Sequence, residues 1–403
     1  MRRPFVAWAG DHKTKLAGFV FSGLTLLTLT SCHSHDFPQY PPNYREYAYI
    51  TNGGSGTVTV LDVVNVRLDR ELPVGQDPVA IAVSATRNEV YVVNSAVENA
   101  QGSISVINAE NNTVAAAIPV HRQPVAIDID PTGALAYIAN SGSNTVSVID
   151  LKTRREVAQI GTGEEPVAVR VSADGKTLVI ANRRGGSLSI VDLAGPATPT
   201  ASKVRAVFSG CPGASDAVIL PDSSKAFVAC SAGHQVMAIA LASSKTNPAL
   251  PDRLETLMDV GHGPVQLALK PDGGELFVSN SLSVSISEIY APTDEVAGAY
   301  PIGDDPVRGL VSNDNSRLYI GNLHSQWVAV YSIDDGRRIG AIHVGDGPSA
   351  LALSGSGLLL FVVDSRSGDI AVIRTTSSSL FAFTLLPAGR SPNAIAIKAF
   401  KLP

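Results

Sequence analysis

A Gly-x-x-Pro turn leading into a short β-branched run recurs along this chain at nearly constant spacing, and no other feature restricts the fold so strongly. It reads Gly75-Gln-Asp-Pro78, Gly163-Glu-Glu-Pro166, Gly261-His-Gly-Pro264, Gly303-Asp-Asp-Pro306, Gly345-Asp-Gly-Pro348 and Gly389-Arg-Ser-Pro392. His121-Arg-Gln-Pro124 lacks the glycine, and one further unit carries Ser215 in the proline's place, after Cys211-Pro212. Successive anchors at 78, 124, 166, 215, 264, 306, 348 and 392 lie 42 to 49 residues apart, which makes eight units. Each unit holds four segments of period-two apolar alternation, as in Pro166–Val171, Thr177–Asn182, Ser187–Asp192 and Val204–Phe208. Asp-Gly, Asn or Gly turns separate them, so the segments are strands of an antiparallel meander.

A four-stranded unit repeated at this interval is the signature of a propeller blade. The expected fold is all-β: a single eight-bladed β-propeller over residues 47–403, with seven blades as the alternative. Closure follows from the ends. The chain opens with three strands of a unit (Tyr47–Asn52, Thr57–Asp62, Arg70–Val74) and finishes with a lone one, Asn393–Lys398. Together they make one composite blade and remove the open sheet edges. The Gly-x-x-Pro strand is expected innermost, with small alternate residues such as Ala80, Ala82, Ala394 and Ala396 facing a central channel.

Tyr49-Ile-Thr-Asn52, Tyr91-Val-Val-Asn94, Tyr137-Ile-Ala-Asn140, Phe277-Val-Ser-Asn280 and Tyr319-Ile-Gly-Asn322 resemble the YVTN repeat of bacterial and archaeal surface proteins. Thr145–Asp150 and the Pro271-Asp-Gly273 turn share the likeness, which covers essentially residues 47–403. It implies a propeller at the cell envelope and carries no particular chemistry.

The first 31 residues read as an address. Lys13 and Lys15 precede an apolar run from Leu16 to Leu29, short for a membrane span, and small polar residues follow. Leu29-Thr30-Ser31-Cys32 resembles the lipobox of bacterial lipoproteins, which implies a diacylated Cys32 as the mature N-terminus; an ordinary signal or an uncleaved anchor is the alternative. His33 stands where an aspartate would imply inner-membrane retention, so an outer-membrane location is expected, facing the periplasm or the surface. Residues 32–46, with Pro38, Pro41 and Pro42, read as a tether.

Three constellations follow from the antiparallel order. Cys211 begins one inner strand and Cys230 replaces the asparagine ending the next, so both fall at one end of neighbouring strands and should pair in an oxidising compartment. His121, His234, His262, His324 and His343 map to the face carrying the Gly-x-x-Pro loops or its approach. Imidazoles there could hold a metal or haem, as could His33, His35 and Asp36 of the tether, but the former come from several blades and no Cys-x-x-Cys-His site accompanies them, so no cofactor is expected. Asp128, Arg170, Gln266 and Arg308 interrupt the small-residue channel positions. Asp128 and Arg170, at equivalent places in adjacent blades, are expected to form an ion pair. The two arginines could hold a carboxylate-bearing ligand, with channel hydration as the bland alternative.

A formal net charge of −5 gives no basic footprint for nucleic acid. No nucleophile elbow, P-loop, zincin helix or dinucleotide fingerprint is present. The sequence therefore favours a non-catalytic, lipid-anchored, monomeric binding scaffold for an envelope protein or glycan. A lactonase-like hydrolase, by fold analogy alone, or a metal- or haem-associated redox propeller is the alternative.

Overall fold

A computed structural model describes residues 40–96, 100–242, 250–376 and 380–402. The signal segment 1–31, the lipobox and Cys32 lie outside the described residues. The described chain forms eight four-stranded antiparallel sheets. Blade 1 is composite: Tyr44–Asn52, Thr57–Asp62 and Arg67–Pro73 are joined by the last strand, Pro392–Lys401. Blades 2 to 8 start from the inner strands Pro78–Val83, Pro124–Ile129, Pro166–Val171, Ala214–Ile219, Pro264–Leu269, Pro306–Val311 and Pro348–Leu353. Each inner strand neighbours the inner strand of the blade before and after it, and Pro392–Lys401 lies between those of blades 8 and 2, so the ring is closed. Eight blades, with the composite closure, is the architecture.

Both closing strands run longer than the alternation suggests. Pairing extends from Thr51 opposite Ala394 out to Tyr44 opposite Lys401. The extension is held from inside: Glu46, 1% exposed, accepts hydrogen bonds from the Gly355 N–H of blade 8 (2.5 Å) and the Tyr44 hydroxyl (3.0 Å). Its apparent position in a polar tether hid it, because a lone glutamate among prolines has no period.

In every blade the second strand is buried along nearly its whole length, as in Leu135–Asn140 and Thr177–Asn182. It sits mid-sheet with another blade on each side, so both its faces are apolar. The core is accordingly a set of layers between blades. Val179, Leu188 and Ile190 of blade 4 meet Ala217, Ala226 and Val228 of blade 5 in one such layer.

One contact explains why the glycine and the asparagine recur together. The asparagine amide lies where the glycine of the same unit has no side chain: a Cβ on Gly75 would sit 2.6 Å from Asn94, and one on Gly163 would sit 2.8 Å from Asn182. The amide Nδ2 donates to hydroxyls five and seven residues on, as from Asn52 to Thr57 and Thr59 (3.0 and 2.9 Å) and from Asn182 to Ser187 and Ser189 (3.2 and 2.9 Å). In the composite blade the Gly389 N–H donates to Asn52 Oδ1 (3.1 Å). The residue before the proline takes a left-handed conformation (Asp305, φ 54°; Gly347, φ 75°), and its carbonyl accepts the N–H following the asparagine or its substitute (Leu323 N–H to Asp305, 2.9 Å; Ser365 N–H to Gly347, 2.8 Å).

Blade 5 replaces this contact covalently. Cys211 and Cys230 form a disulfide with Cα atoms 4.7 Å apart. Ala214 is paired with Cys230 as Pro264 is with Asn280, so Ala214, not Ser215, occupies the proline's place. Cys211 therefore stands at the glycine position and Cys230 at the asparagine position. The sequence frame for this unit was off by one residue, and in a strand such a slip exchanges the two faces.

Blade 8 changes the contact differently. Asp364 takes the asparagine's place, fully buried, with the Gly345 N–H donating to Oδ2 (2.9 Å) and Asp369 directly opposite. Burial pushes the Asp364 carboxyl up to about 8; the Gly345 N–H opposes the shift and the Asp369 carboxylate adds to it. An unfolded aspartate titrates near 4, so between about pH 4 and 8 the folded chain keeps a proton that the unfolded chain has lost. The stability contribution is complete below about pH 4, declines as pH rises, and is gone above about 8. The Asp364→Asn variant, restoring the amide of the other blades, should remove this decline. Urea midpoints from pH 5 to 9 should show the variant gaining on the wild type up to about pH 8 and then running parallel; a constant gap would exclude the shared proton.

Candidate functional site

The inner strands enclose an axial cavity of about 380 Å³. Its wall takes residues of both parities, among them Val79, Ala80 and Ile81 of blade 2. The expectation that only alternate small residues face the channel therefore does not hold. Each inner strand is the edge of a radial sheet: its two faces look toward neighbouring blades, and its edge looks at the axis.

The residue two places after each proline position sits in one register around the ring. Ala80, Ala126, Ala168, Asp216, Gln266, Arg308, Ala350 and Ala394 pair with Val93, Ala139, Ala181, Ala229, Ser279, Gly321, Val363 and Thr51 of their blades. The cavity is therefore two-sided. Blades 5 to 7 present Asp216, Gln266 and Arg308 at this register and blade 4 adds Arg170 two residues further on, whereas blades 8, 1, 2 and 3 present Ala350, Ala394, Ala80 and Ala126.

Most of the polar side chains fasten one blade to the next. Asp128 accepts the N–H of Ile129 (2.9 Å) and that of Val171 in blade 4 (2.8 Å). Asp216 accepts the N–H of Ala217 (2.9 Å) and that of Leu267 in blade 6 (3.1 Å). Gln266 Oε1 accepts the Gly309 N–H of blade 7 (2.7 Å) while its Nε2 donates to the Leu267 carbonyl (2.7 Å). Ser215 donates to the Pro264 carbonyl (3.1 Å) and Asn393 to that of Pro78 (3.0 Å). Inner strands have no sheet partner on the axial side, and these side chains satisfy backbone groups left over there.

All of these ties run toward the following blade, which corrects the expected Asp128–Arg170 pair. Arg170 reaches forward to Asp216 (2.9 Å) and to its neighbour's carbonyl, Val169 (2.9 Å), not back to Asp128. Asp128 is absent from the cavity wall among the described residues. Its carboxyl is raised by burial, against the opposing pull of Arg170 and of the two N–H donors. Asp216 was missed because the blade 5 frame was displaced; matching Cys230 to Asn280 would have found it.

Arg308 differs from the rest. It is exposed to the cavity and, among the described residues, has no hydrogen-bond or ion-pair partner. Desolvation near the axis lowers its pKa, Asp216 pulls it up and Arg170 pushes it down, but a guanidinium stays charged in neutral water.

The histidines do not converge. His121 meets Glu156 (3.1 Å), His324 meets Asp305 (2.7 Å), and His343 lies edge-on to Trp327. Only His234 and His262 come together, stacked with ring centroids 4.5 Å apart, and His234 Nδ1 accepts the Gly263 N–H (3.2 Å). Among the described residues no group of three or more His, Cys, Asp or Glu is arranged to hold a metal ion, and no helix is long and apolar enough to cross a membrane.

The family model described as lactonase, 7-bladed beta-propeller, matches residues 155–382, more than half of the chain. The chain belongs to the lactonase family of β-propellers. This lactonase-family chain has eight blades where the family description gives seven. Similar solved structures include hydrazine synthase of Kuenenia stuttgartiensis, at 21% identity and a TM-score of 0.58 over 75% of this chain and 97% of that one. Two others are described as putative 6-phosphogluconolactonases. That of Bacteroides uniformis is 15% identical with a TM-score of 0.61 over 88% and 99% of the two chains. That of Bacteroides fragilis is 14% identical with a TM-score of 0.59 over 90% and 99%. At these identities the likeness is one of fold. No curated protein matches this lactonase-family propeller.

Asp216 serves three donors and Arg170 only two acceptors, so their removal should not cost the same. Asp216→Ala strands two backbone N–H groups and a guanidinium, and should lose roughly 3 kcal/mol in chemical denaturation. Arg170→Ala leaves Asp216 with both N–H donors and should lose about 1 kcal/mol. Equal losses, or a larger one for Arg170→Ala, would contradict the assignment of Asp216 as the tie between blades.

Proposed function

We propose that this protein is a lactone hydrolase whose substrate sits in the axial cavity, its carbonyl or carboxylate end against Arg308. The observation that carries the reading is the free guanidinium: an unpaired charge with no structural task, exposed to a cavity of ligand size. Family membership supports the lactone as substrate class. In the reaction water adds to the lactone carbonyl, the ring C–O bond breaks, and a hydroxy acid leaves. Arg308 is the group that takes up negative charge on the carbonyl oxygen as it develops, and then on the product carboxylate.

One feature favours a second reading, a binding propeller without turnover. Both Asp216 oxygens are engaged, so this carboxylate is not free to accept a proton from water. Proton release from a panel of five- and six-membered lactones separates the two. The hydrolase reading expects turnover that falls at least 100-fold in kcat/KM in Arg308→Ala, or about 3 kcal/mol of transition-state stabilisation. Thermal stability should not fall, since Arg308 supports no other group and its desolvation is relieved. Binding of the hydroxy acid without turnover, lost in the same variant, would establish the binding propeller instead. A variant indistinguishable from wild type in both assays would end the cavity reading.

The same proposal places the propeller at the cell envelope, held by lipid on Cys32, as a single-chain module available to an envelope protein or glycan. The lipobox likeness of Leu29–Cys32 supports it, and two cysteines paired in blade 5 suit an oxidising compartment. Palmitate label should enter the full-length protein and be lost in Cys32→Ser; label retained in that variant would refute the anchor.

A further inference from the structure

We infer that the cavity selects a singly charged, unphosphorylated hydroxy acid or lactone and discriminates against its phosphorylated counterpart. The inference rests on the cavity being the ligand site and adds the charge class of what enters it.

Two cations line the cavity, Arg170 and Arg308, and one carboxylate, Asp216, while Asp128 lies outside the wall. The Arg170 guanidinium already contacts Asp216 at 2.9 Å, so its charge is answered before a ligand arrives. Arg308 has no hydrogen-bond or ion-pair partner among the described residues, and the one carboxylate of the wall is already engaged by Arg170. A phosphoryl group carries roughly two negative charges at neutral pH and is ordinarily met by several charge-assisted donors or a bidentate arginine cluster. Here one arginine would have to serve both the carboxyl end and the phosphoryl end. The far wall carries no charge: Ala350, Ala394, Ala80 and Ala126 end in methyl groups, and the amide of Asn393 beside them is engaged by the Pro78 carbonyl and the Thr51 hydroxyl. A phosphate placed there would be desolvated without compensation, whereas the uncharged body of a monoanion loses little. Discrimination by an unpaired buried charge is a strong form of specificity.

Calorimetric titration of the wild-type protein with gluconate and with 6-phosphogluconate, identical but for the phosphoryl group, tests this directly. Gluconate should bind at least ten-fold more tightly. Two variants should reverse the order. Asp216→Asn releases Arg170 toward the cavity. Ala80→Arg sets a second guanidinium at the register position in blade 2 that Arg308 holds in blade 7, and it leaves every tie between blades intact if loss of Asp216 prevents folding. Each should raise affinity for 6-phosphogluconate by ten-fold or more relative to gluconate. Equal or tighter binding of 6-phosphogluconate by the wild type would overturn the charge selectivity while leaving the cavity as a ligand site. An Ala80→Arg protein with unaltered preference would overturn it too. Failure of both compounds to bind any of the three proteins would instead remove the cavity reading beneath it.

Discussion

An asparagine side chain lying over a glycine, repeated around a ring, sets the frame of this molecule. The amide needs the space that a Cβ would fill, and it needs hydroxyl partners five and seven residues further on. Those demands fix where the bend before each inner strand falls. Because side chains alternate along a strand, fixing the bend also fixes which residue turns toward the following blade and which toward the preceding one. The cavity wall is thus a consequence of a contact made nearer the rim of the loop face. Where the contact is exchanged for a disulfide, between Cys211 and Cys230, the geometry persists although both of its sequence marks are gone.

That exchange explains what could and could not be read beforehand. Strand number, blade count and closure were legible because period-two alternation and turn residues act locally, and because Tyr44–Asn52 and Pro392–Lys401 each lack the partners that the other supplies. The disulfide was legible for the same reason, since antiparallel order alone brings its two positions to one end. Asp216 was not, because blade 5 offers neither the glycine nor the proline nor the asparagine by which its neighbours are aligned. The Asp128–Arg170 pair failed on a different ground. Equivalent positions in adjacent blades are translated copies, and copies point the same way around the ring. Each reaches the blade ahead, so the tip of Arg170 meets Asp216 rather than the side chain behind it.

The polar residues of the channel divide accordingly by task. Asp128, Asp216, Gln266, Ser215 and Asn393 satisfy backbone groups that closed sheets would otherwise leave bare, and a satisfied network of this kind rigidifies the axis. Arg308 has no such employment. Its desolvation is unfavourable to the folded chain, and no hydrogen bond or ion pair among the described residues offsets it, which is a mark of a group retained for a ligand. The cavity therefore combines a lining of engaged polar groups with one unpaired charge on a single side, an arrangement that orients a small molecule end-on.

The composite blade has a mechanical corollary. The chain enters at Tyr44 and leaves at Lys401, side by side on antiparallel strands in one sheet. Tension applied at the entering end therefore falls first on the end of that seam where Tyr44 stands opposite Lys401. A disc hung by this end would resist traction at its own closure, with Glu46 and Gly355 fastening the loaded strand to the blade beside it.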